Sequence, residues 1–293
     1  LTPAAGQEAA TVAVGYDGSE PARQAVRWAA GYAAAVKAPL QVIHAWVWPV
    51  FTKNLGPVKG VEGSGLRHSA EVILAEGVDV ARAAYAAAAS AADGAADGAP
   101  VDGVMEAGMP AQVLRNAARD AGLLVIGSRG LGGVLGQLAG SICLELAGTS
   151  PCPLMVIRRP RGPAGPVVAG IDGTSRSPAA LAGAIKLATA LGASLQLVHI
   201  DQTRGGNREE HGRHASLHGQ ALLDHAVAEA RKLAPELAVS GTLQEGRAAS
   251  KELLAVAGEG QALVIGTHNR EGGPGNTVSA VLHKARCNVL ITR

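Results

Sequence analysis

The residues best suited to chemistry are concentrated in one glycine-rich stretch. Gly127-Ser128-Arg129-Gly130 is followed after nine residues by Gly140-Ser141. Glycine at 127 and 130 lets a ligand approach main chain where a Cβ would stand in the way. Gly140-Ser141 precedes an apolar run, Ile142 to Ala147, that reads as a helix. The free N–H groups and positive end of such a helix suit an anion such as a phosphate. Ser141 adds a hydroxyl and Arg129 a charge within reach of the same point. Two carboxylates, Asp17 and Asp172, each follow a short apolar run. Both have a plainer reading as helix N-caps, a role aspartate favours.

These residues need elements to hold them, and the chain supplies the elements twice. Thr11-Val-Ala-Val-Gly15-Tyr-Asp17-Gly-Ser19 has a counterpart 155 residues later in Val167-Val-Ala-Gly-Ile-Asp172-Gly-Thr174. Leu40-Gln-Val-Ile-His44 returns at the same offset as Leu195-Gln-Leu-Val-His199. Leu124-Val-Ile-Gly127 is echoed by Leu263-Val-Ile-Gly266, and Pro151-Cys152-Pro-Leu-Met-Val-Ile157 by Arg286-Cys287-Asn-Val-Leu-Ile291. The chain is a tandem duplication, expected to divide into domains 1–160 and 161–293 at the Pro/Gly-rich seam Arg158–Pro166. A Gly/Pro-rich excess in the first half, Trp48 to Arg67, reads as a surface loop.

Within each half, short apolar runs (Val12–Val14, Leu40–Val47, Leu123–Ile126) read as strands buried on both faces. Between them lie stretches of helical period. Ser19 caps the first, Pro21 suits its first turn, and Ala22, Val26, Ala29, Ala33 and Val36 share a face. Another covers Leu181, Ile185, Ala188 and Leu191, and a third is expected over Ala111 to Ala121. Alternating strands and helices imply an α/β fold with parallel sheets, whose ligands bind beyond the carboxyl ends of the strands. Asp17 and the glycine stretch both fall just after strands.

Composition narrows the function. At 293 residues with net charge +2 and 2% aromatics, the chain has neither the basic excess for coating nucleic acid nor the rings to stack bases. No stretch of about 20 apolar residues is present, so no membrane insertion is expected. Leu1 to Ala10 lacks the pattern of a signal peptide. Three cysteines without a Cys-x-x-Cys pair suit a reducing, cytoplasmic setting.

The glycine spacing, the Val-Gly-Tyr-Asp-Gly-Ser start, the histidine closing the second strand and the terminal Cys-Pro-x-x-Val-Ile segment together resemble the universal stress protein family in its tandem, ATP-binding form. The resemblance implies two Rossmann-like (adenine nucleotide alpha hydrolase-like) domains, each an open, twisted, parallel five-stranded sheet with helices on both faces. It implies ATP, with Mg²⁺, as ligand. Asp17 and main chain at His44–Ala45 would lie by the adenine and Gly15 under the nucleoside. Gly127, Ser128, Arg129, Gly130, Gly140, Ser141 and Ile142 would surround ribose and phosphates. Cys143 stands where the family often has a hydroxyl, which weakens one donor. In the second half Asp172, Gly266, Gly275 and Asn276 take the corresponding places, but the loop is four residues shorter and Asn269 replaces Gly130.

The implied role is a nucleotide-dependent stress-response regulator rather than a fast enzyme. Gly-x4-Gly-Lys-Ser/Thr and Gly-x-Ser-x-Gly are both absent, and no carboxylate pair presents itself for acid–base work. The alternatives are slow ATP hydrolysis or nucleotidyl transfer on the same fold, and an interaction module that binds no nucleotide. The two halves are expected to pack as a pseudo-dimer with Pro153–Arg158 near the pseudo-twofold. A homodimer and a regulatory protein partner are further expectations. His44 and His199 read as hydrogen-bonded structural histidines, and Cys152 and Cys287 as small buried residues. His211, His214, His218 and His225 recur at helical spacing, yet their interleaved glycines argue against a metal stripe. Asp93-Gly94, Asp97-Gly98 and Asp102-Gly103 read as turns.

Overall fold

The computed structural model describes residues 10–46, 64–91, 100–130, 139–160, 165–174, 177–201, 218–267 and 273–293. Ten strands form one sheet: β1 (Thr11–Gly15), β2 (Leu40–Trp46), β3 (Val101–Ala107), β4 (Ala121–Gly127) and β5 (Leu154–Ile157), then β6 (Val167–Gly170), β7 (Leu195–Asp201), β8 (Val239–Glu245), β9 (Ala262–Gly266) and β10 (Asn288–Thr292). Their spatial order is β3-β2-β1-β4-β5-β10-β9-β6-β7-β8. Each half is a parallel five-stranded unit. The two are joined by the single antiparallel pair, β5 with β10, in the register Val289–Val156, Leu290–Met155 and Ile291–Leu154. The expected pseudo-dimer is thus a continuous sheet with a reversal at its centre.

Strands buried on both faces explain the sequence. Val12 and Val14 point into one core and Ala13 into the other, all three almost wholly buried. One face carries α1 (Glu20–Ala35), α2 (Ser64–Ala91), α5 (Ser177–Leu191) and α6 (Gly219–Leu233). The other carries α3 (Pro110–Ala117), α4 (Ser141–Thr149), α7 (Ala249–Val256) and α8 (Asn276–Lys284). Ser19 caps α1 by accepting from the Ala22 N–H at 3.3 Å, with Pro21 in the first turn. Six apolar side chains at the central pair, Leu154 to Val156 and Val289 to Ile291, are buried.

Three local expectations need correction. The helix expected over Ala111 to Ala121 is Pro110–Ala117, because Ala121 is already paired with Thr11 at the start of β4. Alanine suits helix and buried strand alike, so the sequence carried no stop signal there. Residues 64–67 of the expected loop belong to α2; the part from 48 to 63 lies outside the described residues. Asp102-Gly103 is a strand segment of β3 rather than a turn. A Cβ on Gly103 would stand 2.8 Å from Val78 Cγ2, so glycine there admits α2 against the sheet. Asp93-Gly94, Asp97-Gly98, His211, His214 and Asn269 lie outside the described residues.

Candidate functional site

The first-half site arises at the topological switch point. β1 and β4 are neighbours, but α1 leaves β1 toward one face and α4 leads from β4 to the other. Their carboxyl ends therefore part and leave a crevice. Tyr16 N–H donates to the Ile43 carbonyl at 2.8 Å, and the buried His44 Nδ1 lies 2.8 Å from the Tyr16 carbonyl. This pair of contacts fixes the turn carrying Asp17 against the end of β2, where half-buried Ala45 follows. His199 repeats the arrangement on the Ile171 carbonyl at 2.8 Å. Both histidines are structural ties.

Asp17 is half-buried, and its Oδ1 accepts from the Ser19 N–H at 3.0 Å. The N-cap is therefore Ser19, and Asp17 orients the turn before it. Its other oxygen leans over the glycine loop: a Cβ on Gly130 would stand 2.6 Å from Asp17 Oδ2. The loop closes on itself where Gly140 N–H donates to the Ser128 carbonyl at 3.1 Å. Ser128 is buried, while Ser141 and Ile142 are exposed at the start of α4. Gly140 is the N-cap, and no side chain closes the first turn. The described structure thus gathers Asp17, Ser128, Gly130, Gly140 and Ser141 at one mouth, with Arg129 in the loop between them.

The glycines fall into two kinds. Gly127 is required by packing, since a Cβ would meet the Pro21 carbon and oxygen at 2.8 Å. Gly15 faces Leu114 Cδ1 and Cδ2 at 3.1 Å, so its missing side chain admits α3. Gly140 is different. A Cβ there would make only ordinary contacts of 3.7 and 3.8 Å, and its φ of −66° suits any residue. Gly275 in the second half also has open space, with φ −59° and ψ 163° against −66° and 157° at Gly140. Among the described residues, neither packing nor backbone conformation calls for glycine at these two helix starts.

The second-half site keeps that helix start, but its carboxylate is gathered in by nearby hydroxyls. Asp172 Oδ1 accepts from Thr174 N at 3.0 Å, Thr174 Oγ1 at 2.7 Å and Ser177 Oγ at 3.0 Å. The hydroxyls of Thr174 and Ser177 thus converge with a main-chain N–H on one Asp172 oxygen. Gly266 ends β9, followed by the buried Thr267, whose hydroxyl has no hydrogen-bond partner.

One contributor was missed in the sequence. Arg158, read as part of the linker, is half-buried at the end of β5. Its guanidinium donates to the Leu282 carbonyl in the last turn of α8, and its N–H to Asn288 Oδ1 at 2.9 Å. Burial depresses its pKa, and the Arg129 charge acts in the same direction. Arg158 thus ties the end of β5 to α8 and β10, within electrostatic range of Arg129. Arg293 is its counterpart and donates to the Ala147 carbonyl of α4 at 3.0 Å. The recurring Arg after each terminal strand was the available signal. Burial also drives the Cys143 thiol, inside the first turn of α4, up to about 12. Among the described residues, no group of three or more His, Cys, Asp or Glu is placed to hold a metal.

Fold and site define a tandem doubly wound α/β protein with a switch-point crevice in its first half. The model of the universal stress protein family matches residues 9–158 and again 164–293. The chain belongs to the universal stress protein family. It is 29% identical over 297 residues to universal stress protein Rv2005c of Mycobacterium tuberculosis, covering 96% of each chain. Rv1996 of the same organism is also 29% identical, over 309 residues, with 96% of this chain and 94% of that one covered. Among solved structures, a universal stress protein from Archaeoglobus fulgidus superposes with a TM-score of 0.68 at 16% identity, covering 97% of this chain and 96% of that one. That likeness concerns the fold.

Proposed function

We propose that the first half binds ATP, accompanied by Mg²⁺, and that the chain is a cytoplasmic nucleotide-dependent regulator composed of units 1–160 and 161–293. The observation that carries this reading is Gly140. It caps a helix whose first-turn N–H groups meet no acceptor among the described residues, it lies beside Ser128 and Arg129, and the described residues give no packing reason for a glycine there. A phosphate held against those N–H groups supplies the reason, since a Cβ would intrude on it. Asp17 and main chain at Ala45 would receive the adenine and ribose side, and Ser141, Ile142 and Arg129 the phosphates. The three free thiols are all buried, which suits a reducing compartment.

No residue at the mouth is placed as an acid–base pair, and the lysine that classical ATPases direct at the terminal phosphate has no counterpart in the loop. Binding rather than turnover is the chemistry this arrangement supports. In the second half Asp172 is engaged by Thr174 and Ser177, so we expect one nucleotide per chain. The test is to acid-denature the protein before and after saturation with Mg-ATP and quantify released adenine nucleotide. One per chain supports the reading. Two would show that the engaged Asp172 does not prevent binding, and none after saturation would overturn the ATP assignment.

A further inference from the structure

The reversal at β5 and β10 places the two mouths at opposite ends of the sheet. Helix α4 runs between them. It starts at Gly140 in the first mouth. Near its other end, Gly148 lies against the loop that leads into α8 in the second half. A Cβ on Gly148 would stand 2.8 Å from Gly273 Cα, 2.9 Å from Gly273 C and 3.0 Å from Pro274 N. These are main-chain atoms, which cannot swing aside as a side chain does. Gly273 itself has φ +106°, a conformation open to glycine and strained for other residues. It stands two residues before Gly275, the N-cap of α8.

The far end of α4 is held as well. Arg293, at the end of β10, donates to the Ala147 carbonyl at 3.0 Å. A helix of nine residues is about 13 Å long and moves as a unit. One end of this rod faces the proposed phosphates. The other bears on the backbone of the second-half loop. At the position corresponding to Gly148, α8 carries His283, whose Nδ1 is buried without a hydrogen-bond partner among the described residues.

We infer that α4 relays occupancy of the first mouth to the second-half loop through the Gly148–Gly273 contact, so that the main chain at Gly273–Asn276 reports whether nucleotide is bound some distance away. This rests on the nucleotide reading of the first half. A ligand that draws in or tilts the start of α4 moves its far end, and packed backbone passes the displacement on rather than absorbing it. The surface that responds is the exposed pair Gly275–Asn276, at the end of the molecule opposite the ligand.

The test is residue-resolved amide hydrogen exchange on the full chain, with and without Mg-ATP, read at Gly273, Gly275 and Asn276. Calorimetry on the same samples reports binding. The wild-type chain is expected to bind ATP and to change exchange at these amides about five-fold, the lower end of common coupling strengths. Gly148→Ala, whose new Cβ forces the helix end and Gly273 apart, is expected to lose most of that response when measured at saturating ATP. Gly130→Val, which obstructs the first mouth beside Asp17, is expected to lose both binding and response. ATP binding without any change at the three amides overturns the relay and leaves the nucleotide site standing. A response that persists in Gly130→Val also overturns it, because the loop would then be meeting nucleotide directly. Failure of the wild-type chain to bind ATP removes the nucleotide reading and the relay together. Should Gly148→Ala not fold, the wild-type and Gly130→Val measurements still decide.

Discussion

Substituting alanine at Gly127 and at Gly140 should have opposite signatures. At Gly127 the new Cβ would lie 2.8 Å from the Pro21 carbonyl carbon and oxygen and 3.1 Å from Ala22 N. The first turn of α1 would have to retreat. Overpacking of this kind costs about 1–3 kcal/mol, and displacing Ala22 from the Ser19 hydroxyl adds about 1 kcal/mol of lost capping. The expected loss is about 2–4 kcal/mol, or a fall in Tm of about 9 °C at the middle of that range. At Gly140 the same Cβ meets nothing closer than 3.7 Å. Alanine is a poorer N-cap than glycine, but it reduces the freedom of the unfolded chain, and the two effects nearly cancel. Stability should move by less than about 1 kcal/mol. Affinity should not be spared: a methyl group against a bound phosphate at about 1–3 kcal/mol of overpacking weakens binding roughly 5- to 150-fold. Calorimetric unfolding and ATP titration of both variants provide the comparison. If Gly140→Ala binds ATP as tightly as the wild type, the glycine is not there for a ligand and the argument for this mouth fails.

Other outcomes follow from contacts already described. Asp17→Ala should weaken ATP binding while Asp172→Ala leaves it within about two-fold, since the Asp172 oxygen is already held by the Thr174 and Ser177 hydroxyls; equal losses in a titration would contradict this. Arg158→Met keeps the bulk but removes the donor to the Leu282 carbonyl, and should lower Tm by about 3–6 °C in a calorimetric scan. The Cys143 thiol is raised by burial from its ordinary value of 9.0 to about 12, so the folded state keeps a proton that the unfolded state gives up. Stability should therefore be full below about pH 8.5 and fall as pH rises toward 12, less steeply in Cys143→Ala, as judged by denaturant midpoints. A profile identical in the two proteins would contradict that assignment.

Much of this architecture was readable because the signals are local. The 155-residue offset, the Ser19 cap with Pro21 and the apolar runs of β1 and β4 each depend on a few adjacent residues. What was not readable depends on partners far apart in the chain. Nothing near Gly15 announces Leu114, and without that neighbour the glycine reads as space for a ligand rather than for α3. Arg158 looks like a linker residue until β10 brings Asn288 and Leu282 beside it. The Asp172 cluster lies between these cases. Thr174 and Ser177 stand two and five residues away, yet only the fold shows that both hydroxyls turn back to one oxygen.

The central strand pair has a consequence for how the protein is made. β5 is complete once Ile157 has emerged, but its partner β10 begins at Asn288, about 130 residues later. At roughly 5–20 residues per second, a nascent first half waits about 7–26 s with the edge of β5 uncovered. That edge is Leu-Met-Val-Ile, the kind of bare apolar strand that pairs with whatever strand is offered. During this interval the natural competitor is β5 or β10 of another ribosome's chain. Crowded synthesis would then favour exchanged dimers, in which each half completes its neighbour, and slower initiation would favour the monomeric ten-stranded sheet.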